Sequence, residues 1–291
     1  MQGEKPRGCT WRSICVTGAT SQLATFLLPR LIESGIAVHA FSRNPPVTST
    51  AGVDWYTVDI GSGAGLPVIR AEGLLHLAPI WLLPPRIGDF AALGVGRIVA
   101  FSSTSRFTKI HSRYAGERRL AEKLAQAETR FAKECDRYGI GWTVLRPTLI
   151  YGGGNDLNVT RIASFVRRFG FFPVAGPANG LRQPVHAADL AAACLAALDS
   201  PAALQHGYNL SGGEALTYRN MVAVIFRAQG RTPRIIQLPL FVWRLAAYLS
   251  RMSGSGAAIN MGMVHRMNED LVFDNAEARR DLGYAPRAFW P

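Results

Sequence analysis

Acidic side chains are scarce in this sequence of 291 residues: 20 Asp and Glu stand against 32 Lys and Arg, a formal charge of +12. A deficit that large points to anionic partners, whether nucleic acid, an acidic membrane surface or small phosphates. The basic residues, nearly all arginines, lie among acids, as along 114–138, and form neither a stripe nor a nucleic-acid-binding module. Nucleic acid is therefore not expected as a partner. Cysteine is sparse as well. Cys9, Cys15, Cys135 and Cys194 are far apart with no partner at metal-ligand spacing, which argues against a disulfide scaffold and a zinc site. They read as reduced, buried small hydrophobes. With no His/Cys/Glu cluster, no metal is expected. There is no apolar run long enough to span a bilayer and no basic, apolar, small-residue leader, so the expectation is a soluble cytoplasmic protein. Internal repeats and low-complexity linkers are also missing, and the length fits one large domain or two small ones at about 150 residues each.

The strongest positive signal runs from Arg12 to Gly35. Ser13 to Val16 is a short apolar, β-branched run, Thr17 to Ser21 is a turn of small residues, and Leu23, Phe26, Leu27, Leu31 and Ile32 recur at helical spacing. That order predicts strand, tight turn, helix. Such a turn lets the backbone approach a ligand, and the unpaired N–H groups and dipole of the helix start favour an anion there, a dinucleotide pyrophosphate above all. The small positions run Gly18, Ser21, Ala24 instead of the simple G-x-G-x-x-G, and an ordinary strand-turn-helix with no ligand stays open on this stretch alone. Pro29, well inside the helical pattern, predicts a kink without a break in the helix.

Further along, Ala37 to Phe41 is a second strand closing on Ser42 and Arg43. An acid at such a strand end holds a ribose 2′-hydroxyl and an arginine accommodates a 2′-phosphate, so Ser42 and Arg43 favour NADP(H) over NAD(H); a solvated surface arginine is the alternative. Trp55 to Ile60 reads as a third strand and Gly73 to Leu77 as a fourth, the short connection between them leaving the third helix as a stub. His76, inside an apolar run, reads as a core histidine. Arg97 to Phe101 is the fifth strand, Tyr114 to Tyr138 a long mixed-charge helix, and Gly141 to Leu145 the sixth strand. Alternation at this spacing predicts an α/β, doubly wound parallel Rossmann sheet over 10–155. Over 156–291 the rhythm changes, with helices at 159–169, 187–198, 218–229 and 238–250; this reads as a smaller C-terminal substrate lobe, while a strand near 206–211 returns to the Rossmann sheet. The apolar segment 239–263 reads as buried core in preference to a membrane or partner contact.

Thr17 to Ala24, Ser102 to Ser105, Arg146 to Gly152, Arg182 to Leu190 and Tyr208 to Leu210 together resemble, in order and distance, the extended and atypical short-chain dehydrogenases/reductases, the NAD-dependent epimerase/dehydratase group that includes nucleoside-diphosphate-sugar epimerases. The resemblance implies a cofactor site built from Gly18, Thr20, Ser21, Gln22 and Leu23 in the first loop. Asp59 with Ile60 would lie beside the adenine, with Leu77, Ala78, Ser102 and Pro147 against the rest of the cofactor. It also implies a Ser/Thr at the end of the fifth strand and a Tyr-x-x-x-Lys pair on the next helix. Thr104 takes the first position, and Tyr114 with Arg118 is the best match to the pair. An arginine replaces the lysine, and Tyr114 follows Thr104 by only ten positions, fewer than in the family. By the same resemblance Asn158 and Arg182 would bind substrate, the guanidinium gripping phosphate oxygens.

Two functions follow as expectations. The first is an NAD(P)-dependent oxidoreductase or epimerase acting on a carbinol or carbonyl of a sugar-nucleotide or other small, phosphate-bearing substrate. The second is a non-catalytic NADPH-binding accessory protein that touches a membrane or respiratory complex. The helix over 114–138 is where a homodimer would form, as such helices pair in the family.

Overall fold

Seven short runs of mostly apolar residues line up as one parallel sheet in a computed structural model that describes residues 11–47, 51–154, 156, 158–252 and 261–291. The strands are β1 (Ser13–Thr17), β2 (Ala37–Ser42), β3 (Val53–Thr57), β4 (Gly73–His76), β5 (Arg97–Phe101), β6 (Gly141–Pro147) and β11 (His206–Leu210), in the order β11-β6-β5-β4-β1-β2-β3. Every residue of β4 and β5 is buried, as expected for parallel strands covered on both faces. The order reverses between β1 and β4, which opens a crevice at the carboxyl ends of these strands.

Helices cover both faces. On one, α1 (Ala24–Glu33), α6 (Ala187–Asp199) and α10 (Ala276–Leu282) bury Leu27, Leu31, Leu190, Cys194 and Leu282 against Ile14, Val16 and Val99. On the other, α2 (Ile87–Ala92) and α4 (Ala115–Arg137) bury Phe90, Leu124 and Phe131 against Leu74, Ile98 and Val144. A third core belongs to the C-terminal lobe. There α5 (Val159–Phe169), α7 (Tyr218–Ala228) and α9 (Met261–Arg266) gather Ile162, Val166, Met221, Phe226 and Val264. Three two-stranded pairs frame this lobe: β7 (Ile150–Tyr151) with β10 (Val185–His186), β8 (Phe172–Ala175) with β13 (Ile235–Leu238), and β9 (Leu181–Arg182) with β12 (Leu216–Thr217). The α/β doubly wound sheet expected from the sequence is therefore present, and β11 pairs with β6 from His206 to Leu210.

Several local expectations are corrected. The third strand spans Val53–Thr57 and ends before Asp59, whose carboxylate instead accepts from the Gly61 N–H at 2.8 Å and turns the chain. Residues 61–72 contain no helix; the crossover after β4 is made by two 3-10 turns, Ile80–Leu82 and Pro84–Arg86, and by α2. A short helix, α3 (Ser105–Thr108), follows β5. Helix α1, by contrast, is not broken at Pro29, as expected. The apolar segment 239–263 is not simply core. In α8 (Leu240–Met252), Ala247 is buried, but Phe241 (68% exposed), Leu245, Tyr248 and Leu249 form an outward stripe. Cys15, Cys135 and Cys194 are buried and unpaired, burial raising the Cys15 thiol to about 12; Cys9 lies outside the described residues.

Candidate cofactor and substrate site

The corner between β1 and α1 is set by Gly18. Its φ of +69° is costly for any residue with a side chain, and a Cβ there would stand 2.8 Å from the Ala78 amide nitrogen at the end of β4. The two strand ends therefore close to backbone distance, with the Leu77 N–H donating to the Thr17 carbonyl at 2.9 Å. Helix α1 has no side-chain cap and no acid in its first turn, so its positive end faces the crevice uncompensated. Ser21, Gln22, Leu23, Leu77, Ala78 and Trp81 line a groove of about 340 Å³, which continues past Ser102 to Pro147. Gln22 Oε1 is buried there without a hydrogen-bond partner. An orphaned acceptor, a helix start without its own anion and a glycine corner make a cradle that fits a dinucleotide.

At the β2 end, Ser42 is buried with its hydroxyl 3.2 Å from that of Thr20, and Arg43 is exposed beside it. Asp59 is exposed, and Ile60 is buried next to it. The Ser102 hydroxyl points elsewhere: it donates at 2.5 Å to Glu128, a buried carboxylate that also pairs with Arg106 and with Arg146 Nη2 at 2.8 Å. This ion cluster anchors the end of β5 to α4.

Beyond Ser103 and Gln22 the groove gives way to a second cavity of about 530 Å³, walled by Thr104, Lys109, Asn158, Arg182 and Arg266. Thr104 is buried, and its Oγ1 donates to the Pro147 carbonyl at 3.1 Å, leaving its lone pairs to accept. Lys109, half-buried at the end of α3, is held below the ordinary lysine range, chiefly by burial and further by Arg266, with Glu117 opposing. Tyr114 is not among the residues lining this cavity. It sits at the start of α4, its ring 6.2 Å from that of His265, while Arg118 donates to the Ser112 carbonyl at 2.7 Å. Arg182 is buried, with its Nη1 donating to the Leu181 and Glu269 carbonyls at 2.7 and 2.8 Å and its Nη2 to the Arg266 carbonyl. Burial lowers its guanidinium to about 10, Tyr218 opposing.

The structure thus brings Thr104, Asn158 and Arg182 together next to the Gly18 groove and leaves Tyr114 and Arg118 outside. Sequence reasoning missed Gln183, Arg266, Leu271 and Phe273, all of which line the same cavity. Their only sequence signal is a lone arginine in an apolar stretch. What brings Arg266 in is an ion pair with Glu117 of α4, 149 positions away.

Residues 94–211 match the family described as NAD dependent epimerase/dehydratase. Protein y4nG of Sinorhizobium fredii is 26% identical over 95% of this chain and 75% of its own length. The mitochondrial NADH dehydrogenase [ubiquinone] 1 alpha subcomplex subunit 9 of Arabidopsis thaliana is 29% identical over 50% of this chain and 38% of its own. Among solved structures, the UDP-glucuronic acid 4-epimerase of Bacillus cereus in complex with NAD superposes with a TM-score of 0.72 at 13% identity, covering 95% of this chain and 94% of the other. The UDP-glucose 4-epimerase of Thermotoga maritima with UDP-glucose gives 0.70 at 16% identity, again over 95% and 94%. Residues 94–211 are thus similar to the NAD dependent epimerase/dehydratase family, and the fold is shared with these epimerases along 95% of the chain.

Proposed function

We propose that this protein binds a nicotinamide dinucleotide over Gly18 and uses it as an oxidoreductase or epimerase on the carbinol or carbonyl of a small substrate, with NADP(H) preferred to NAD(H). The observation that carries the reading is the crevice at the strand reversal. It combines the Gly18 corner, an uncapped helix start and the orphaned Gln22 oxygen, and it runs directly into a cavity containing Thr104. That the similar solved epimerases hold NAD and UDP-sugars supports the choice of cofactor class.

When bound, the nicotinamide supplies the hydride or accepts it; the rest falls to the chain's own residues. The first turn of α1 would hold the pyrophosphate, and Thr20 and Ser42, whose hydroxyls meet at 3.2 Å, would hold the adenosine ribose. Arg43, with no acid at the β2 end, pairs with a 2′-phosphate. Thr104, its hydrogen already given to Pro147, accepts from a carbinol hydroxyl and so fixes the oxygen. Lys109 shares that cavity and carries an ammonium already weakened by burial, so it moves the proton to or from this oxygen in place of the Tyr114 and Arg118 pair. Asn158 and the arginine-rich rim hold the remainder of the substrate.

Nicotinamide fluorescence titration tests the cofactor reading. NADPH should bind more tightly than NADH, and Arg43→Ala should erase the difference, about a tenfold loss confined to NADPH; equal losses for both cofactors would defeat the 2′-phosphate assignment. For the proton, oxidation of NADPH by a carbonyl substrate should be lost in Lys109→Met and kept in Tyr114→Phe; the reverse pattern returns the role to Tyr114.

The exposed stripe on α8 favours a second reading, a cofactor-binding accessory subunit without turnover. The partial likeness to a respiratory-complex subunit supports it. NADPH binding with no oxidation by any carbonyl or sugar-nucleotide tried, in wild-type protein, would favour this reading over the first.

A further inference from the structure

Helix α8 presents Val242, Trp243 and Ala246 inward, opposite Phe165 of α5 and Met221 of α7, around a further cavity of about 550 Å³. That volume is in the range that encloses a small ligand. Leu149, Asn158, Arg182, Arg266 and Leu271 line both this cavity and the one holding Thr104, so the two are continuous. The walls differ sharply in character. The Thr104 side is hydroxyl- and cation-rich, whereas the α8 side is built of Phe, Met, Leu, Val and Trp.

Two buried donors on the apolar side have no hydrogen-bond partner: the Tyr218 hydroxyl, on a residue 5% exposed, and Trp243 Nε1. A nucleobase entering here would exchange several hydrogen bonds with water for at most these two, and the remainder would go unmade. A hydrocarbon chain loses no hydrogen bonds on entry and gains contact with every wall. At the junction Arg182 and Arg266 line both cavities, with Lys109 on the Thr104 side and Arg161 on the α8 side; against these four cations stand Asp156 in the cavity wall and Glu117 paired with Arg266, and the excess of positive charge suits an anionic head.

We propose that the α8 cavity holds the hydrocarbon chain of an anionic amphiphile whose head sits at the junction beside Arg182 and Arg266. The Tyr218 hydroxyl and Trp243 Nε1 are left to donate to an oxygen of that ligand within the α8 cavity. This deepens the oxidoreductase reading, on which it rests for the chemistry, by making the substrate class lipophilic.

The test uses n-alkyl phosphates from hexyl to dodecyl, below their micelle concentrations, titrated calorimetrically into the 291-residue chain. Affinity should rise roughly fourfold per added methylene until the cavity is full and then level off. Tryptophan fluorescence should change on binding in the wild type and change far less in Trp243→Phe. Ala246→Phe, which fills the cavity, should weaken decyl phosphate at least about tenfold and leave NADPH affinity intact as its folding control. Phe165→Ala, which enlarges the cavity, should move the plateau to longer chains. An affinity independent of chain length overturns the proposal, as does UDP binding more tightly than decyl phosphate and competing with it. NADPH titrations on the same samples separate the two claims. Chain-length dependence without NADPH binding keeps the lipophilic cavity and removes the neighbouring oxidoreductase reading; NADPH binding with flat chain-length dependence does the opposite.

Discussion

Gly18 sits where two strand ends meet at backbone distance, and a single methyl group tests that corner. In Gly18→Ala the φ of +69° is disfavoured and the new Cβ meets the Ala78 amide, so stability should fall by about 1–3 kcal/mol in urea unfolding. NADPH affinity should fall with it, because relieving the clash parts the loop from β4. A variant with wild-type stability and affinity would show that the corner is not closed. His76 offers a second reading at this scale. Its Nδ1 lies 2.6 Å from the Thr17 hydroxyl and its Nε2 3.2 Å from the Pro79 carbonyl, so the ring is a satisfied core group and no ligand. Burial lowers it to about 4, with the Pro79 bond opposing. The unfolded chain therefore binds a proton near pH 6.5 that the folded chain refuses until about pH 4. The stability tied to His76 is fully present above about pH 6.5 and is lost as pH falls toward 4, on the order of 3 kcal/mol. Denaturant midpoints measured across that window should slope in the wild type and flatten in His76→Gln; parallel slopes would remove the assignment.

Helix α8 shows what amphipathicity means when both sides are apolar. The inward residues Val242, Trp243 and Ala246 wall a cavity, while Phe241, Leu245, Tyr248 and Leu249 face out. Sequence periodicity identifies the helix but cannot assign its faces, because neither side carries the run of charges that marks solvent. The phase is checkable. Leu245→Gln, on the outer face, should alter stability by less than about 0.5 kcal/mol, whereas Ala247→Asp, at a position 5% exposed, should cost about 2–4 kcal/mol by burying a charge. Equal costs would mean that the outer stripe is covered. Elsewhere the elements follow their local signals closely. The predicted helices at 159–169 and 218–229 appear at Val159–Phe169 and Tyr218–Ala228, and β5 falls on the run Arg97–Phe101. The errors fall where side chains stand in for regular structure, such as the Asp59 turn and the proline-rich 3-10 turns after β4, whose apolar residues carry no clear period.

At the level of the whole molecule, the C-terminal lobe is tied back to the first by β11 on the sheet edge, by the Arg266 and Glu117 pair, and by Arg287 holding Asp189 at 2.7 Å. A ligand in the groove touches chain that follows β1, β4, β5 and β6, so its binding should register in global unfolding. NADPH at a hundred times its Kd should add about 2.7 kcal/mol and raise Tm by roughly 4 °C. A thermal shift absent at that concentration would contradict the cofactor site, whichever function the protein serves.

The sequence by itself determined the class of fold and its glycine corner, because period, turn chemistry and the Thr17 to Ala24 loop are local properties written in consecutive residues. It also supplied Thr104, Asn158 and Arg182 as candidates that do share a cavity. Tertiary structure alone decided that Tyr114 stays outside that cavity while Lys109 enters it. The placement depends on how α3 and α4 pack, which the helical spacing of Tyr114 and Arg118 does not encode. It alone decided that Arg182 spends its guanidinium on the carbonyls of the turn after α9, and that Arg266 and Phe273 arrive from the far end of the chain. Those contacts join residues more than eighty positions apart, and no pattern within either segment announces the other.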